Sequence, residues 1–479
     1  MSHTARRQSL LAAVLVLALG ATACGSRRST DEIRAAAVGT GDTTTVAEGD
    51  AGDPGGVIDP DDRAVGAPGS GTSAAPTTTR STGSGAGRAV TSGTPGTRTG
   101  PGTTSTGGGQ TRAPAAAGKP VRIGVVGTMS GVGGTQKASV AAIQAWARST
   151  NDAGGLNGHP VEVIVVDDGN DPARLRASVQ QLVEQRQVIA FVGLLGAFTL
   201  TKGVVDYLEA KGVPVIGGDR LSLFWQSSPL FFPQASAAEA LIYLHMANTA
   251  RLGGKGAPIG WVSCQEAQVC KDADRLWQPN AAQLGLDVRY RAQVSVAQPS
   301  FTSECLRAQR AGVEWFLLAT DANSIRRIAS SCEQQGYRPR YAVLQTSDEM
   351  TQLPALEGGY FGASTFPWVS TGTPARAEFK RVMDRYAPEV ALSGHATSGW
   401  TAAKLFEKVG PELGADPTSA QVMAAMWKVK DDNLGGLTSP LTFVKGRPAP
   451  ARYCYFPMEL RKAAWVDTGG AAPICRPPS

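Results

Sequence analysis

The first part of the chain has no aromatic side chains. All 13 Phe, 9 Trp and 9 Tyr of the 479 residues lie after Gly118, and the stretch from Gly25 to Gly118 is mostly Gly, Thr, Ser, Ala and Pro. Such a composition cannot bury enough apolar surface to offset its conformational entropy. We therefore predict a disordered linker over 25–118. The folded part is then 119–479, which is long enough for two lobes with cores of their own.

Clusters of like charge and known catalytic motifs are also missing. The net charge is only +6, from 46 Lys+Arg and 40 Asp+Glu, and no block of five or six basic residues occurs. This pattern argues against a nucleic-acid partner. The folded part contains no GxSxG, HExxH, GxxxxGK[ST] or GxGxxG motif. We therefore do not expect an enzyme, and no motif indicates a cofactor.

The chain has no long hydrophobic run, but it has a short one near its start. Arg6-Arg7 precedes the apolar run Leu10–Leu19, which is too short to span a bilayer core of roughly 20 residues. We interpret 1–24 as a signal peptide, because small residues follow the run. Ala21-Thr22-Ala23-Cys24 resembles a bacterial lipobox, in which the cysteine is acylated; ordinary cleavage before Cys24 is the alternative. We expect an extracytoplasmic protein, lipid-anchored to the outer face of the cell membrane.

Six further cysteines lie in the folded part. An even number in an exported protein indicates disulfides, and six cysteines allow 15 pairings. A zinc site is the competing interpretation, but no CxxC occurs and the four histidines are isolated in sequence. Proximity in sequence favours the pairs Cys264–Cys270, Cys305–Cys332 and Cys454–Cys475.

Strand-length apolar runs alternate with helical patterns from 121 to 344. Val121–Val126 is the first such strand, and Lys137–Asn151 is the first helix, with apolar residues at helical spacing. The alternation occurs twice in succession and predicts an α/β fold with two parallel sheets, each covered on both faces. A helix is predicted over 199–211. The last hundred residues differ, with three predicted helices and then short strands, the first at 440–444.

The residues of the first predicted lobe resemble a known family. Val121–Gly131 reads VRIGVVGTMSG, and Ile143–Val166 reads IQAWARSTNDAGGLNGHPVEVIVV, followed by Asp167-Asp168 and Asp171-Pro172. This pattern is similar to the Leu/Ile/Val-binding proteins, the type I periplasmic substrate-binding proteins of ABC importers. The resemblance implies two Rossmann-like lobes joined by three hinge crossings near 236, 364 and 436. Lobe 1 is then 119–236 and 365–436, and lobe 2 is 237–364 and 437–479.

The resemblance also implies a function. We expect a monomer that captures a small polar solute, of amino acid or amide type, and delivers it to ABC permease subunits. The alternative is a ligand-sensing or cell-envelope lipoprotein that keeps the fold but feeds no transporter. It stays open because Ala197 stands where relatives have a serine.

Ligands of open parallel sheets bind at the carboxyl ends of the strands, so the loops there supply the candidate binding residues. These are Ser130, Gln136, Ala197, Phe198, Thr199, Gly218, Asp219, Arg220, Gln268, Asp321, Thr346, Ser347 and Asp348.

Several candidates have a structural alternative. Thr199 is either a ligand contact or a helix N-cap. Asp219 and Arg220 either pair with each other at a solvated rim of the cleft or bind a charged ligand. Asp321 either binds an ammonium group, as in relatives, or caps the following helix. The resemblance implies that lobe 1 binds the carboxylate of an amino acid, with Arg220 near by, and that Asp321 and either Asp348 or Glu349 on lobe 2 bind its ammonium.

Overall fold

The computed structural model describes residues 116–130, 136–196, 198–236, 238–344 and 348–476. All of them belong to one unit of the chain, Thr103–Ser479. The predicted signal peptide, Cys24 and nearly all of the predicted linker lie outside the described residues. No helix within the described ranges is long and apolar enough to cross a membrane.

The first sheet is five-stranded and entirely parallel, in the order β2-β1-β3-β4-β5. Its strands form from apolar runs, and every residue of the central β3 is buried. Its strands are β1 (Val121–Gly127), β2 (Val161–Asp167), β3 (Ala190–Leu195), β4 (Val215–Gly218) and β5 (Phe231–Phe232), with helices α1 (Lys137–Asp152), α2 (Pro172–Glu184) and α3 (Lys202–Lys211) between them.

The second sheet repeats this order and then extends it with antiparallel strands. Its parallel part runs β7-β6-β8-β9-β10, and β11, β12 and β13 are added beyond β10. The strands are β6 (Pro258–Cys264), β7 (Asp287–Val294), β8 (Trp315–Ala319), β9 (Arg340–Val343), β10 (Tyr360–Ala363), β11 (Cys454–Arg461), β12 (Ala464–Asp467) and β13 (Ile474–Cys475); the helices are α4 (Ala238–Gly253), α5 (Gln268–Gln283), α6 (Thr302–Arg310) and α7 (Ala322–Gln334).

Three later helices return to the first sheet: α8 (Pro374–Tyr386), α9 (Gly394–Glu407) and α10 (Ser419–Met426). Helix α9 packs closely on α1, where a Cβ at Gly399 would lie 2.3 Å from the carbonyl oxygen of Ser139. The Ser139 hydroxyl also donates a hydrogen bond to the carbonyl of His395 at 2.8 Å. The chain therefore passes between the two sheets three times: after β5, after β10 and after α10. These segments contain the positions predicted as hinges, and their action as hinges stays a prediction.

The α/β architecture with two parallel sheets is confirmed, and a few elements differ from prediction. The helix predicted over 199–211 begins at Lys202. The side chain of Thr199 lies before the helix and donates a hydrogen bond to the buried Asp168. The strand predicted over 440–444 is only an isolated bridge between Leu441 and Asp432. Strands β5 and β10 were not predicted, since β5 has only two residues and the four residues of β10 include a glycine and form no continuous apolar run.

The three cysteine pairs favoured by proximity are disulfides in the structure, and all join elements of the second sheet. Cys305–Cys332 ties α6 to α7 in the core, and both cysteines are fully buried. Cys454–Cys475 joins paired residues of β11 and β13. Cys264–Cys270 links the end of β6 to the first turn of α5. In the described part of the chain, no three His, Cys, Asp or Glu side chains converge to hold a metal ion.

Candidate ligand-binding cleft

A cleft opens where the carboxyl ends of the two parallel sheets face each other. Its first half, here called the polar pocket, combines the end of β4, the end of β10 and the start of α9. The polar pocket is lined by Gln136, Gly218, Asp219, Arg220, Leu221, Leu241, Leu344, Phe361, Gly362, Ala363, Ser364, Thr365, Gly394, His395 and Ser398. Residues of both sheets and of the second crossing, Ser364 and Thr365, therefore share one cavity, as expected for a ligand site in parallel sheets.

Arg220 connects the polar pocket to the crossings. Its side chain is 6% exposed, and its guanidinium donates to the Ser236 carbonyl on the first crossing and to the Ser364 hydroxyl on the second, at 2.7 Å. The Ser236 hydroxyl donates in turn to the Cys454 carbonyl, where the third crossing enters β11. Burial lowers the pKa of Arg220 to about 10, against the opposing effect of Asp219. The guanidinium thus joins the crossings, and its burial argues against the alternative in which Asp219 and Arg220 pair at a solvated rim.

Asp219 is the one acidic residue among the described residues that line the polar pocket. Its carboxylate accepts hydrogen bonds from the Gln136 side chain at 2.9 Å and from the backbone N–H of Leu221 at 3.3 Å. Burial raises the pKa of Asp219 to about 6, although the Leu221 N–H and the charge of Arg220 act in the opposite direction. A partly buried carboxylate with a raised pKa in a cleft is a candidate for contact with a ligand.

His395, near the start of α9, lines the same pocket and was not predicted. Burial lowers the pKa of His395 to about 4, so its ring is neutral at pH 7. The residue was missed because it lies far along the chain from the strand-end loops of lobe 1. Ser364 and Thr365 were missed for a related reason, since they follow β10, which has no clear sequence pattern.

The second half of the cleft, here called the apolar pocket, lies against the Cys264–Cys270 disulfide. It is lined by Phe198, Leu221, Ile242, Cys264, Val269, Cys270, Ala273, Leu276, Ala319, Thr320, Asp321 and Leu344. Phe198 and Leu221 come from loops of the first sheet, and they pack against the disulfide loop of the second. Leu221 and Leu344 line both pockets, so the two halves adjoin.

Asp321 lines the apolar pocket, but its carboxylate is already engaged. One oxygen accepts from the backbone N–H groups of Asn323 and Ser324, at 2.9 and 3.1 Å, and caps α7. The other accepts from the Thr320 hydroxyl at 3.3 Å, and the residue is 2% exposed. This geometry favours the helix-cap interpretation over an ammonium site.

Three predicted residues do not reach either pocket. The Ser130 hydroxyl donates to Asp167 at 2.5 Å and is exposed. The Thr199 hydroxyl donates to the buried carboxylate of Asp168 at 2.7 Å, and the N-cap of the following helix is Thr201. Gln268 is an exposed residue of α5 that donates to Asp272 at 2.9 Å.

The structure does not place the side chains of four others. Ala197, Thr346 and Ser347 are outside the described residues, and Asp348 is described only as the first residue of a short 3-10 helix. Of the predicted set, the structure thus brings together Gln136, Gly218, Asp219 and Arg220 in the polar pocket and Phe198 and Asp321 in the apolar one.

Comparison with known proteins agrees with this architecture. The family model described as periplasmic binding protein matches residues 120–463. No curated protein sequence matches the chain. Similar solved structures include the fatty acid ABC transporter substrate-binding protein from Thermomonospora curvata, at 18% identity and TM-score 0.62, covering 76% of this chain and 95% of that one.

Two further structures are similar to the same extent. A branched chain amino acid ABC transporter protein from Thermus thermophilus, with bound valine, is 17% identical with TM-score 0.64, covering 75% of this chain and 97% of that one. An ABC transporter solute binding protein from R. palustris, in complex with benzoate, is 14% identical with TM-score 0.62, covering 75% and 98%. Identities this low show a shared fold, and these three proteins bind chemically different solutes.

Proposed function

The chain belongs to the periplasmic binding protein family, and from that membership we propose that it captures a small solute and delivers it to an ABC permease. The resemblance to the Leu/Ile/Val-binding proteins is confirmed at the level of family and fold. The proposal adds that capture takes place in the cleft described above, outside the cytoplasm, on a chain anchored to the membrane through Cys24.

The observation that carries the proposal is the construction of the cleft across the two sheets. Side chains of both sheets line it, and Arg220 joins its wall to the Ser236 and Ser364 crossings by hydrogen bonds. A rotation about the crossings would separate Phe198 and Leu221 from the disulfide loop and open the cavity. Hinge closure around a ligand is how such two-lobed proteins bind. A solute that contacts both walls therefore stabilises the closed arrangement over the open one.

The sequence predicts that the solute is an amino acid or an amide. The residues of the cleft favour the amide. An amino acid brings a carboxylate and an ammonium, and each needs a partner when buried. Of the residues predicted near these groups, Arg220 binds the crossings through its two terminal nitrogens and Asp321 caps α7. Asp219 and the neutral His395 ring remain in the polar pocket.

Lipid anchoring is proposed from the sequence Ala21-Thr22-Ala23-Cys24. The acylated cysteine would hold the chain at the membrane, near a permease. Cys24→Ala is expected to release the chain into the medium or to leave it uncleaved. If the variant is cleaved and still fractionates with membranes, attachment has another origin.

Solute binding is tested by thermal unfolding of the purified chain against a broad panel of amino acids, amides, amines and small organic acids. A solute present at 100 times its Kd stabilises a one-site protein by roughly 2.7 kcal/mol, which raises the unfolding temperature measurably. We expect at least one compound to do so, and we expect Leu344→Arg, which places a charge at the junction of the two pockets, to abolish the shift. A panel in which no compound binds, or in which Leu344→Arg folds and binds normally, would contradict the proposal.

A further inference from the structure

The two halves of the cleft differ in polarity and therefore constrain the shape of the solute. Leu221 and Leu344 form the boundary, with hydrogen-bonding groups on one side and mostly carbon and sulfur atoms on the other. A solute that fills the whole cleft must present a polar end to the first half and an apolar end to the second.

The apolar pocket offers no charge to a ligand. Among its described lining residues only Asp321 is ionisable, and its carboxylate accepts three hydrogen bonds from Asn323, Ser324 and Thr320. Apart from Thr320, whose hydroxyl donates to Asp321, the remaining walls are aliphatic, aromatic or disulfide groups. An apolar chain or ring placed there leaves water without displacing a hydrogen bond of the protein, and each buried methylene tightens binding roughly fourfold.

The polar pocket favours a head group that donates hydrogen bonds. Three titratable side chains line it within the described residues, namely Asp219, Arg220 and His395. The guanidinium of Arg220 is directed at the crossings, and the imidazole of His395 is neutral at pH 7. The carboxylate of Asp219 is thus the charged acceptor that faces the cavity, and it would repel a carboxylate head.

We propose that the solute is an amide or amine with an apolar chain or ring, its N–H donated to Asp219 and its apolar part held between Phe198, Leu221 and the Cys264–Cys270 disulfide. This inference rests on the proposed function and names the ligand class of the same cleft. It differs from the amino acid expected from the sequence, because Asp219 is a charged acceptor for a donor, whereas the two terminal nitrogens of Arg220 are already bonded to the crossings and leave only its Nε for a carboxylate.

The experiment is calorimetric titration of the purified full-length chain at pH 7.5 with hexanamide, hexylamine, hexanoate and acetamide. We expect hexanamide or hexylamine to bind at least tenfold more tightly than acetamide, because only the longer chains reach the apolar pocket. Hexanoate, with the same chain and a carboxylate head, is expected to bind at least tenfold more weakly than the better of the two.

Two matched variants separate the halves of the cleft. Ala273→Phe fills the apolar pocket and should weaken hexanamide or hexylamine at least tenfold, while Ala282→Phe, at an exposed position of the same helix α5, should leave both unchanged. Asp219→Asn keeps the shape and an acceptor oxygen but removes the charge, and should weaken hexylamine at least tenfold and hexanamide less.

The failures of the two proposals are distinguishable. If hexanoate binds best, or if Ala273→Phe binds hexanamide and hexylamine as the wild type does, the ligand class is wrong. The ligand class is also wrong if only compounds without an apolar part bind, and in each of these cases the proposed function stands. If no compound of the broad panel binds, the proposed function itself is overturned.

Discussion

Replacing Asp321 by alanine tests whether this residue belongs to the fold or to the ligand. The substitution removes a carboxylate that accepts two backbone N–H bonds of 2.9 and 3.1 Å at the start of α7. Loss of an N-cap costs about 0.5–2 kcal/mol, and we expect a value near the upper end because the position is 2% exposed and water cannot replace the acceptor. Asn is as good an N-cap as Asp, so Asp321→Asn should stay within about 0.5 kcal/mol of the wild type.

The assay is urea unfolding, with Asp171→Ala as the matched control. Asp171 caps α2 in the same way, accepting from the N–H groups of Ala173 and Arg174 at 2.7 and 3.2 Å, but it is exposed and does not line the cleft. Both alanine variants should lower the unfolding midpoint with an unchanged slope, the control by about 1 kcal/mol. Solute affinity should stay within twofold of the wild type in all three variants.

One result would refute this reasoning. If Asp321→Asn unfolds like the wild type but binds solute more than tenfold more weakly, the negative charge of Asp321 acts on the ligand. The ammonium role implied by the family resemblance would then be correct, and the apolar pocket would not be uncharged in function.

Three further predictions concern stability. Removing Cys305–Cys332, with a sequence separation of 27, should cost about 3.5 kcal/mol in the chain-entropy model, whereas removing Cys264–Cys270, with a separation of 6, should cost about 2; urea unfolding of the two double alanine variants compares them. Arg220→Met deletes charge-assisted hydrogen bonds to two crossings and should destabilise the chain by about 3 kcal/mol or more. Burial raises the pKa of Asp219 from 3.8 to about 6, so the folded state holds this proton more tightly and stability falls as pH rises from about 4 to about 6. Asp219→Asn should lack that fall, which amounts to about 1–3 kcal/mol in unfolding free energies measured from pH 4 to 7.

Each of these has a contrary outcome. Equal losses for the two disulfides would mean that loop length does not govern their contribution. An Arg220→Met variant as stable as the wild type would show that the crossings hold without the guanidinium. If Asp219→Asn follows the wild-type pH dependence, the carboxylate is hydrated in the folded protein and its pKa is not raised.

The fold could be predicted well from the sequence because its strongest signals are local. Apolar runs such as Val121–Val126 and a helix start such as Asp171-Pro172 determine strands and helices through burial and capping, and the structure has both where expected. The short strands β5 and β10 could not be predicted, because they are held by pairing with neighbours distant in sequence. Phe231 pairs with Val215, and Tyr360 pairs with both Ala342 and Glu459.

The cleft was predicted less completely than the fold. Loops at strand ends do line it, but a hydroxyl at a strand end has two competing partners, a ligand or a neighbouring carboxylate. The hydroxyls of Ser130 and Thr199 donate to Asp167 and Asp168. No property of the local sequence indicates that they bond to these carboxylates and not to a ligand. His395 enters the cleft from a helix that returns late in the chain, which only the tertiary packing establishes.

The central claim is that the cleft captures a solute for import, and uptake by whole cells tests it most directly. Cells lacking the chain, and the same cells supplied with the wild type, Leu344→Arg or Cys24→Ala, take up the radiolabelled solute that the purified chain binds most tightly. We predict that uptake falls to background in the deletion, returns with the wild type, and does not return with Leu344→Arg even when that variant is folded and membrane-bound. Uptake that is equal in the deletion and in the wild type would contradict the claim.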